Sequence, residues 1–323
     1  MARQTELISK ENLQRAAHLL LQEEIVAFPT ETVYGLGACL FSEKAVRKIF
    51  QAKGRPSDNP LIVHISTLDT IDEIAVDIPD EFYTLAKNFF PGPLTLVIPR
   101  HPDVPSLISA NLPTIAVRMP SHPTAKALIE LVGQPLVAPS ANLSGKPSAT
   151  CVSHVLEDFE GIIPAVVLGE SSQYGIESTV VSLLESQIQI LRPGSITKQE
   201  IEKVLGRTVS VFNPSLGDRQ VFPSPGMKYR HYAPKAKVLL FDQFEEVIGY
   251  AQKRGEIKKM FITNKKDIRI DLNACFELSS SNLYFHLRLS DQFNFEEIIV
   301  YCDEKVRDDL ALMNRLLKCA GKI

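Results

Sequence analysis

Short polar clusters, each standing at the end of an apolar run, hold most of the residues in this sequence that could do chemistry. The first is Pro29-Thr30-Glu31-Thr32-Val33-Tyr34-Gly35-Leu36-Gly37, where hydroxyls and glycines would let side chains and backbone approach a ligand closely. The second, Lys53-Gly54-Arg55-Pro56-Ser57-Asp58-Asn59-Pro60, sets two cations around a glycine. That suits a clamp for carboxylate or phosphate, with arginine as a fork and lysine as a point charge. The third, Pro139-Ser140-Ala141-Asn142-Leu143-Ser144-Gly145-Lys146-Pro147-Ser148-Ala149-Thr150, offers small hydroxyl and amide groups. Ser178-Thr179 and Arg192-Pro193-Gly194 flank a pair of apolar runs, Arg118 closes the run 115–117 as a lone cation, and His64 lies inside the run 61–65. Each feature also has a bland local reading. Basic residues and glycine end helices, Ser and Thr cap them, and a strand-end arginine is commonly a surface residue. A histidine in an apolar strand is commonly a satisfied core group. No single cluster decides between these readings.

Familiar signatures are missing. There is no GxxxxGK[ST], since Gly145-Lys146-Pro147-Ser148 lacks the upstream glycine; Gly35-Leu36-Gly37 lacks the third glycine of the dinucleotide fingerprint; no GxSxG occurs. The five cysteines are scattered singly and the seven histidines show no HExxH spacing, which argues against a disulfide framework and against a protein-built metal site. The net charge is −3, with 17 basic and 23 acidic residues in 1–217 but 18 and 15 in 218–323. A chain-wide basic field for holding nucleic acid is therefore absent, and phosphates would have to bind in a local pocket. No apolar run approaches the roughly 18 residues needed to span a bilayer, and the N-terminus does not read as a signal peptide, so a cytoplasmic protein without a membrane partner is expected.

The clusters need elements to hold them. With 323 residues the chain is long enough for two domains. Apolar spacing predicts a helix over 9–24, a buried strand over 25–28, a loop over 30–37, and a helix that Ser42 caps and Gly54 ends. Strands are expected at 61–65, 94–98, 115–118, 136–138 and 165–168, and helices near 81–89, 123–132, 152–159 and 198–205. The runs 179–184 and 187–191 read as a hairpin. Residues 219–240 contain no acid, and the stretch 223–234 has three prolines and no apolar periodicity, so it reads as a stiff linker. Beyond it, strands at 238–241, 260–263 and 298–301 alternate with helices at 244–253, 283–293 and from 304 onward. The fold class is α/β, with parallel and antiparallel strands mixed in the first domain and a smaller α/β domain after the linker.

Taken in order, PTETVYGLG, KGRPSDNPL, AVR, PSANLSGKPSAT, ESTVV and ILRPG, followed by SPGMKYRHYAP, resemble the two-domain threonylcarbamoyl-AMP synthase family, whose catalytic domain is of the YrdC type. The resemblance is strong over 25–195 and the linker and weak towards the C-terminus. Ala149 stands where proline is frequent, and Ser182 where an acid is frequent. The resemblance implies a YrdC-like mixed twisted sheet over 1–215, a linker or lid over 216–236, and a Rossmann-like α/β domain over 237–323. It further implies condensation of L-threonine, bicarbonate and ATP to threonylcarbamoyl-adenylate, with pyrophosphate released. The adenylate would pass to a tRNA-modifying transferase complex, for threonylcarbamoyl-adenosine at position 37 of tRNAs reading ANN codons. Mg2+ would arrive on the ATP phosphates, and direct tRNA binding would be weak or absent. Carried over residue by residue, Lys53, Arg55, Ser140 and Asn142 are catalytic. Thr32, His64, Arg118, Ser140 and Ser178 lie on the threonine side, and Arg55, Asn59, Thr114, Asn142, Thr150, Arg192 and Tyr232 on the nucleotide side. The acid-free, aromatic and basic linker would fold over the pocket as a lid, with Tyr232 and either Lys228 or His231 reaching the nucleotide. An RNA-binding module without adenylate synthesis is the competing expectation.

Overall fold

The structure is a computed structural model that describes residues 4–184, 187–212, 232–253, 257–265 and 274–322. The chain divides into two compact units. The first runs to Tyr229 without the tripeptide Gly145–Pro147; the second is Arg230–Ile323 together with that tripeptide.

In chain order the first unit contains β1 (Glu6–Ile8), α1 (Leu13–Leu21), β2 (Val26–Phe28), β3 (Gly35–Cys39), α2 (Glu43–Lys53), β4 (Ile62–His64), α3 (Asp80–Phe89), β5 (Leu94–Pro99) and β6 (Thr114–Arg118). It continues with α4 (Pro123–Val132), β7 (Leu136–Val137), α5 (Val152–Phe159), β8 (Ala165–Val167), β9 (Thr179–Ser182), β10 (Gln189–Arg192), α6 (Lys198–Leu205) and β11 (Ser210–Val211). The strands form one mixed sheet in the order β1-β8-β2-β3-β7-β4-β6-β5-β9-β10-β11. Helix α2 starts where Ser42 Oγ accepts the Ala45 N–H, and stops at Gly54, whose φ of 58° is costly for any residue with a Cβ. Helices α1 and α4 bury Ala16, Leu20, Leu128 and Ile129 together with Val26, Phe28 and Leu136 of the sheet. The larger core lies with α2, α3 and α5, around Ile49, Leu85, Val155 and the strand residues Leu36, Val63, Leu96 and Val117.

In the first unit sequence and structure part in three places. The glycines of 35–37 suggested loop, yet they begin β3. A Cβ on Gly37 would sit 2.6 Å from the Phe28 ring, so close packing on β2 demands a glycine there. The helix expected over 9–24 is a 3-10 turn at Lys10–Asn12 followed by the shorter α1. Strands β1 and β11 are too short for periodicity to register.

The second unit holds β12 (Lys237–Phe241), α7 (Phe244–Lys253), β13 (Lys259–Thr263), β14 (Ala274–Glu277), α8 (Leu283–Gln292), β15 (Glu297–Tyr301), α9 (Glu304–Asp308) and α10 (Leu310–Cys319). Its sheet, β12-β15-β13-β14, is parallel throughout, as expected of a small α/β domain, and β14 is an addition to the strands read from sequence. Gly145–Pro147 is held in this unit by Ala233 N–H to Gly145 O (2.9 Å) and by Arg288 Nε and Nη2 to Pro147 O (3.1 and 2.7 Å). No helix of the described residues is long and apolar enough to cross a membrane.

Candidate active site

One face of the sheet carries a row of polar side chains on four strands, β4, β6, β5 and β10, joined by Ser178 just before β9. Residues directly opposite in paired strands share a face. His64 of β4 is opposite Arg118 of β6. The β5–β6 register, continued by one residue from Leu96 opposite Val117, puts Thr95 opposite Arg118. Thr95 in turn faces Val180 of β9, which is opposite Arg192 of β10. Hydrogen bonds join the row: Thr95 Oγ1 and Ser178 Oγ are 2.7 Å apart, and Arg192 donates through Nη2 to Ser178 Oγ (3.2 Å) and through Nε to Ser178 O (3.1 Å). All five residues are buried. Beside the row lies an apolar floor of Ile62, Val97, Ala116, Val180 and Leu191.

The loop after β2 adds to the row from the side. Arg118 Nη1 donates to Thr32 Oγ1 at 2.8 Å, and Arg118 Nη2 pairs with Glu31 Oε1 at 2.6 Å. Burial alone would push the Glu31 carboxyl up, but the Arg118 charge holds it below the usual carboxylate range. His64 is driven down to about 3, first by burial and then by the Arg118 charge, so its ring is neutral near pH 7. Its Nδ1 lies 3.2 Å from Ile62 O. With the proton on Nδ1 donated to that carbonyl, Nε2 is left as an acceptor.

A second knot lies where α2 ends. The Lys53 ammonium, 2% exposed, donates to Ser140 O and Asn142 O, and Ser144 N–H donates to Lys53 O (2.9 Å). Lysine thus ties the third cluster to the second. Ser140 forms a bridge with Gly35, and Ala141 N–H donates to Tyr34 O (2.7 Å), which fastens the same loop to the first cluster. Asp158 of α5 receives the Leu143 N–H (3.1 Å), while His154 Nδ1 lies 3.2 Å from Thr150 Oγ1. Arg55 folds back on its own turn, donating to Asn59 O (3.3 Å) and Pro60 O (2.9 Å). Asn59 is buried and its Nδ2 has no protein acceptor among the described residues, an orphan donor that suits an incoming anion or base.

The candidates therefore sort by place. Thr32, His64, Arg118, Ser178 and Arg192 are joined in the row; Lys53, Ser140 and Asn142 in the lysine knot; Arg55 with Asn59; and Thr150 with His154. Thr114, expected on the nucleotide side, shares the face of Arg118 but stands four residues back along β6, roughly 13 Å away. The β4–β6 register, continued by two residues from Ile62 opposite Ala116, runs it towards Pro60, the residue after Asn59. Tyr232, expected at the nucleotide, packs in its own unit: its ring is 5.2 Å from that of Tyr284, Arg315 lies over it, and its carbonyl accepts from Cys319 Sγ. Lys228 and His231, with most of the linker, lie outside the described residues. Sequence reasoning passed over Glu31 and Thr95. The available signal was parity and charge: a lone hydroxyl inside the run 94–98, and a lone acid where another apolar segment ends in a lone cation.

A family profile described as "Telomere recombination" (Sua5_yciO_yrdC) matches residues 18–194, and one described as "Threonylcarbamoyl-AMP synthase, C-terminal domain" (Sua5_C) matches 196–321. Threonylcarbamoyl-AMP synthase of Pyrococcus abyssi is 43% identical, with 98% of this chain and 96% of that protein covered. The Bacillus subtilis protein of the same name is also 43% identical, covering 96% and 93%. The solved structure of P. abyssi Sua5 complexed with L-threonine superposes with a TM-score of 0.90 at 41% identity, covering 98% of each chain. Full-length identity at this level, in both domains, shows that the chain belongs to the threonylcarbamoyl-AMP synthase family.

Proposed function

We propose that this chain condenses L-threonine, bicarbonate and ATP into threonylcarbamoyl-adenylate and pyrophosphate, for transfer of the threonylcarbamoyl group to tRNA. The observation that carries the reading is the buried row His64–Arg118–Thr95–Ser178–Arg192, joined by Thr32, in a chain similar over its whole length to a protein solved with L-threonine. The threonine amine attacks the bicarbonate carbon and water leaves, giving a carbamate. A carbamate oxygen then attacks the α-phosphorus, and pyrophosphate departs. Carboxylate, carbamate and triphosphate must lie together, so fixed cations and donors have to offset their repulsion.

Each side chain has a share in that task. Arg118 takes the threonine carboxylate, and Thr32 and Ser178 offer hydroxyls to its polar groups. His64, neutral and far too weak a base to take up a proton near pH 7, serves through Nε2 as an acceptor that adds no charge. A pocket built to pair a hydroxyl rejects valine more sharply than serine, because a buried donor left unpaired costs more than a missing methyl. Lys53 holds the Ser140–Asn142 backbone in place beside the reacting groups, while Arg55, Asn59, Thr150 and Arg192 attend the nucleotide. Among the described residues no group of three His, Cys, Asp or Glu could hold a metal ion, and the cationic side chains fit phosphate oxygens instead. Magnesium carried by the triphosphate would add charge neutralisation. A partner transferase acting on tRNA consumes the adenylate.

The test is mass-spectrometric detection of the adenylate and of pyrophosphate from the purified protein. Both should require threonine and bicarbonate together and should vanish in Lys53→Ala. Pyrophosphate release independent of threonine, or none at all with salt-sensitive RNA binding in its place, would refute the reading.

A further inference from the structure

Glu31 sits one residue before Thr32 with its carboxylate 4% exposed and facing an Arg118 guanidinium that is 5% exposed. Burying two opposite charges is costly, and a well-packed apolar pair of the same size is often as stable, so fold stability alone does not account for this pair. Orientation does. A guanidinium is a planar fork on a long, many-rotamer stem. Arg118 donates a hydrogen bond from Nη1 to Thr32 Oγ1 and is in ion-pair contact through Nη2 with Glu31 Oε1 (2.6 Å), while its Nε has no hydrogen-bond acceptor among the described residues. The backbone of Glu31 is itself fixed, its carbonyl accepting the Tyr174 N–H at 2.9 Å in the segment that leads to Ser178.

We infer that Glu31 is a positioning residue for threonine recognition: it sets the plane of Arg118, so that the guanidinium and the Thr32 hydroxyl meet the amino acid in one fixed arrangement. Without it the arginine retains its charge but loses one of two anchors. Threonine then has to order the side chain as it binds, whereas the ATP contacts at Arg55 and Asn59 are untouched. The inference rests on the adenylate-synthase reading and deepens it.

The experiment is steady-state pyrophosphate release by wild type, Glu31→Gln and Glu31→Asp, varying threonine and ATP separately, with thermal unfolding of each protein. Glu31→Gln retains size and one acceptor but not the charge; its threonine KM should rise about tenfold or more, with the ATP KM within about twofold. Glu31→Asp, which keeps the charge but draws it back by one methylene, should fall between, with a threonine KM raised by about threefold. A folded Glu31→Gln enzyme with the wild-type threonine KM overturns the inference and leaves adenylate synthesis standing. Parallel rises in both KM values overturn it too, since they report general damage. If Glu31→Gln does not fold, Glu31→Asp decides: a selective rise supports the inference and an unchanged KM overturns it. A wild-type protein that makes no adenylate overturns the underlying reading, and the inference with it.

Discussion

Gly194, directly after Arg192-Pro193, offers the sharpest test of how the row is built. A Cβ at this position would lie 2.3 Å from Thr179 N, 2.6 Å from the Ser178 carbonyl carbon and 2.8 Å from Glu177 O. All three are backbone atoms, so no side-chain rotation relieves the overlap. Restoring ordinary contact at about 3.4 Å requires a shift of roughly 1 Å between the segment after β10 and the one before β9. That shift cannot be absorbed quietly, because Thr179 N–H is bonded to Pro93 O (3.0 Å) and Thr179 Oγ1 donates to Ile196 O (2.7 Å). Ser178 therefore moves relative to Thr95 and Arg192. Overpacking of this size costs about 1–3 kcal/mol, and a misplacement of about 1 Å in a binding row costs on the order of a hundredfold in rate. Gly194→Ala should show both effects, in denaturant unfolding and in pyrophosphate release. Gly206→Ala is the control: the φ of 65° strains alanine, but nothing lies within 4 Å, so stability drops by about 1 kcal/mol while activity stays. A Gly194→Ala enzyme with wild-type rate and stability would refute this account of the site's construction.

Two further expectations follow from the buried polar groups. Asn59→Ala removes a donor that no group among the described residues satisfies, so unfolding free energy should stay level or rise by about 1 kcal/mol while the ATP KM increases; a loss of stability with the KM unchanged would make Asn59 structural. His64 has its folded pKa lowered to about 3 by burial and Arg118, against an ordinary value near 6.5. The unfolded chain thus takes a proton that the native state refuses, so stability is full above pH 6.5 and falls as the pH drops towards 3. Between pH 7 and pH 5 this contributes about 2 kcal/mol of acid sensitivity, which His64→Asn should remove in denaturant titrations. Buried His286, lowered to about 4, remains in both proteins and cancels from the comparison.

Much of the fold was legible because local chemistry and tertiary burial agreed. The Ser42 cap and Gly54 stop bound α2, and Pro123–Val132, Val152–Phe159 and Lys198–Leu205 match their apolar spacing end for end. β3 was not legible, since glycines that usually signal a loop are there to let the Phe28 ring approach. The polar clusters were visible as clusters, but their grouping was not: nothing local says that Lys53 clasps two carbonyls almost ninety residues away, or that Thr95 completes a line with Ser178. Nor does anything local say that Thr114, on the face of Arg118, is carried four residues along β6 towards the level of Pro60.

The line of side chains runs 64, 118, 95, 178, 192 across the strands, whereas the ribosome delivers those positions as 64, 95, 118, 178, 192. Strand β5 waits for a neighbour more than eighty residues downstream. A growing polypeptide short of Ser178 therefore lacks both the hydroxyl and the cation at one end of the line, and one short of Arg192 still lacks the cation, so no amino-terminal fragment ending before that point can carry it whole. The line can therefore close only once the strand that ends at Arg192 has been made, well before the last residue of the chain.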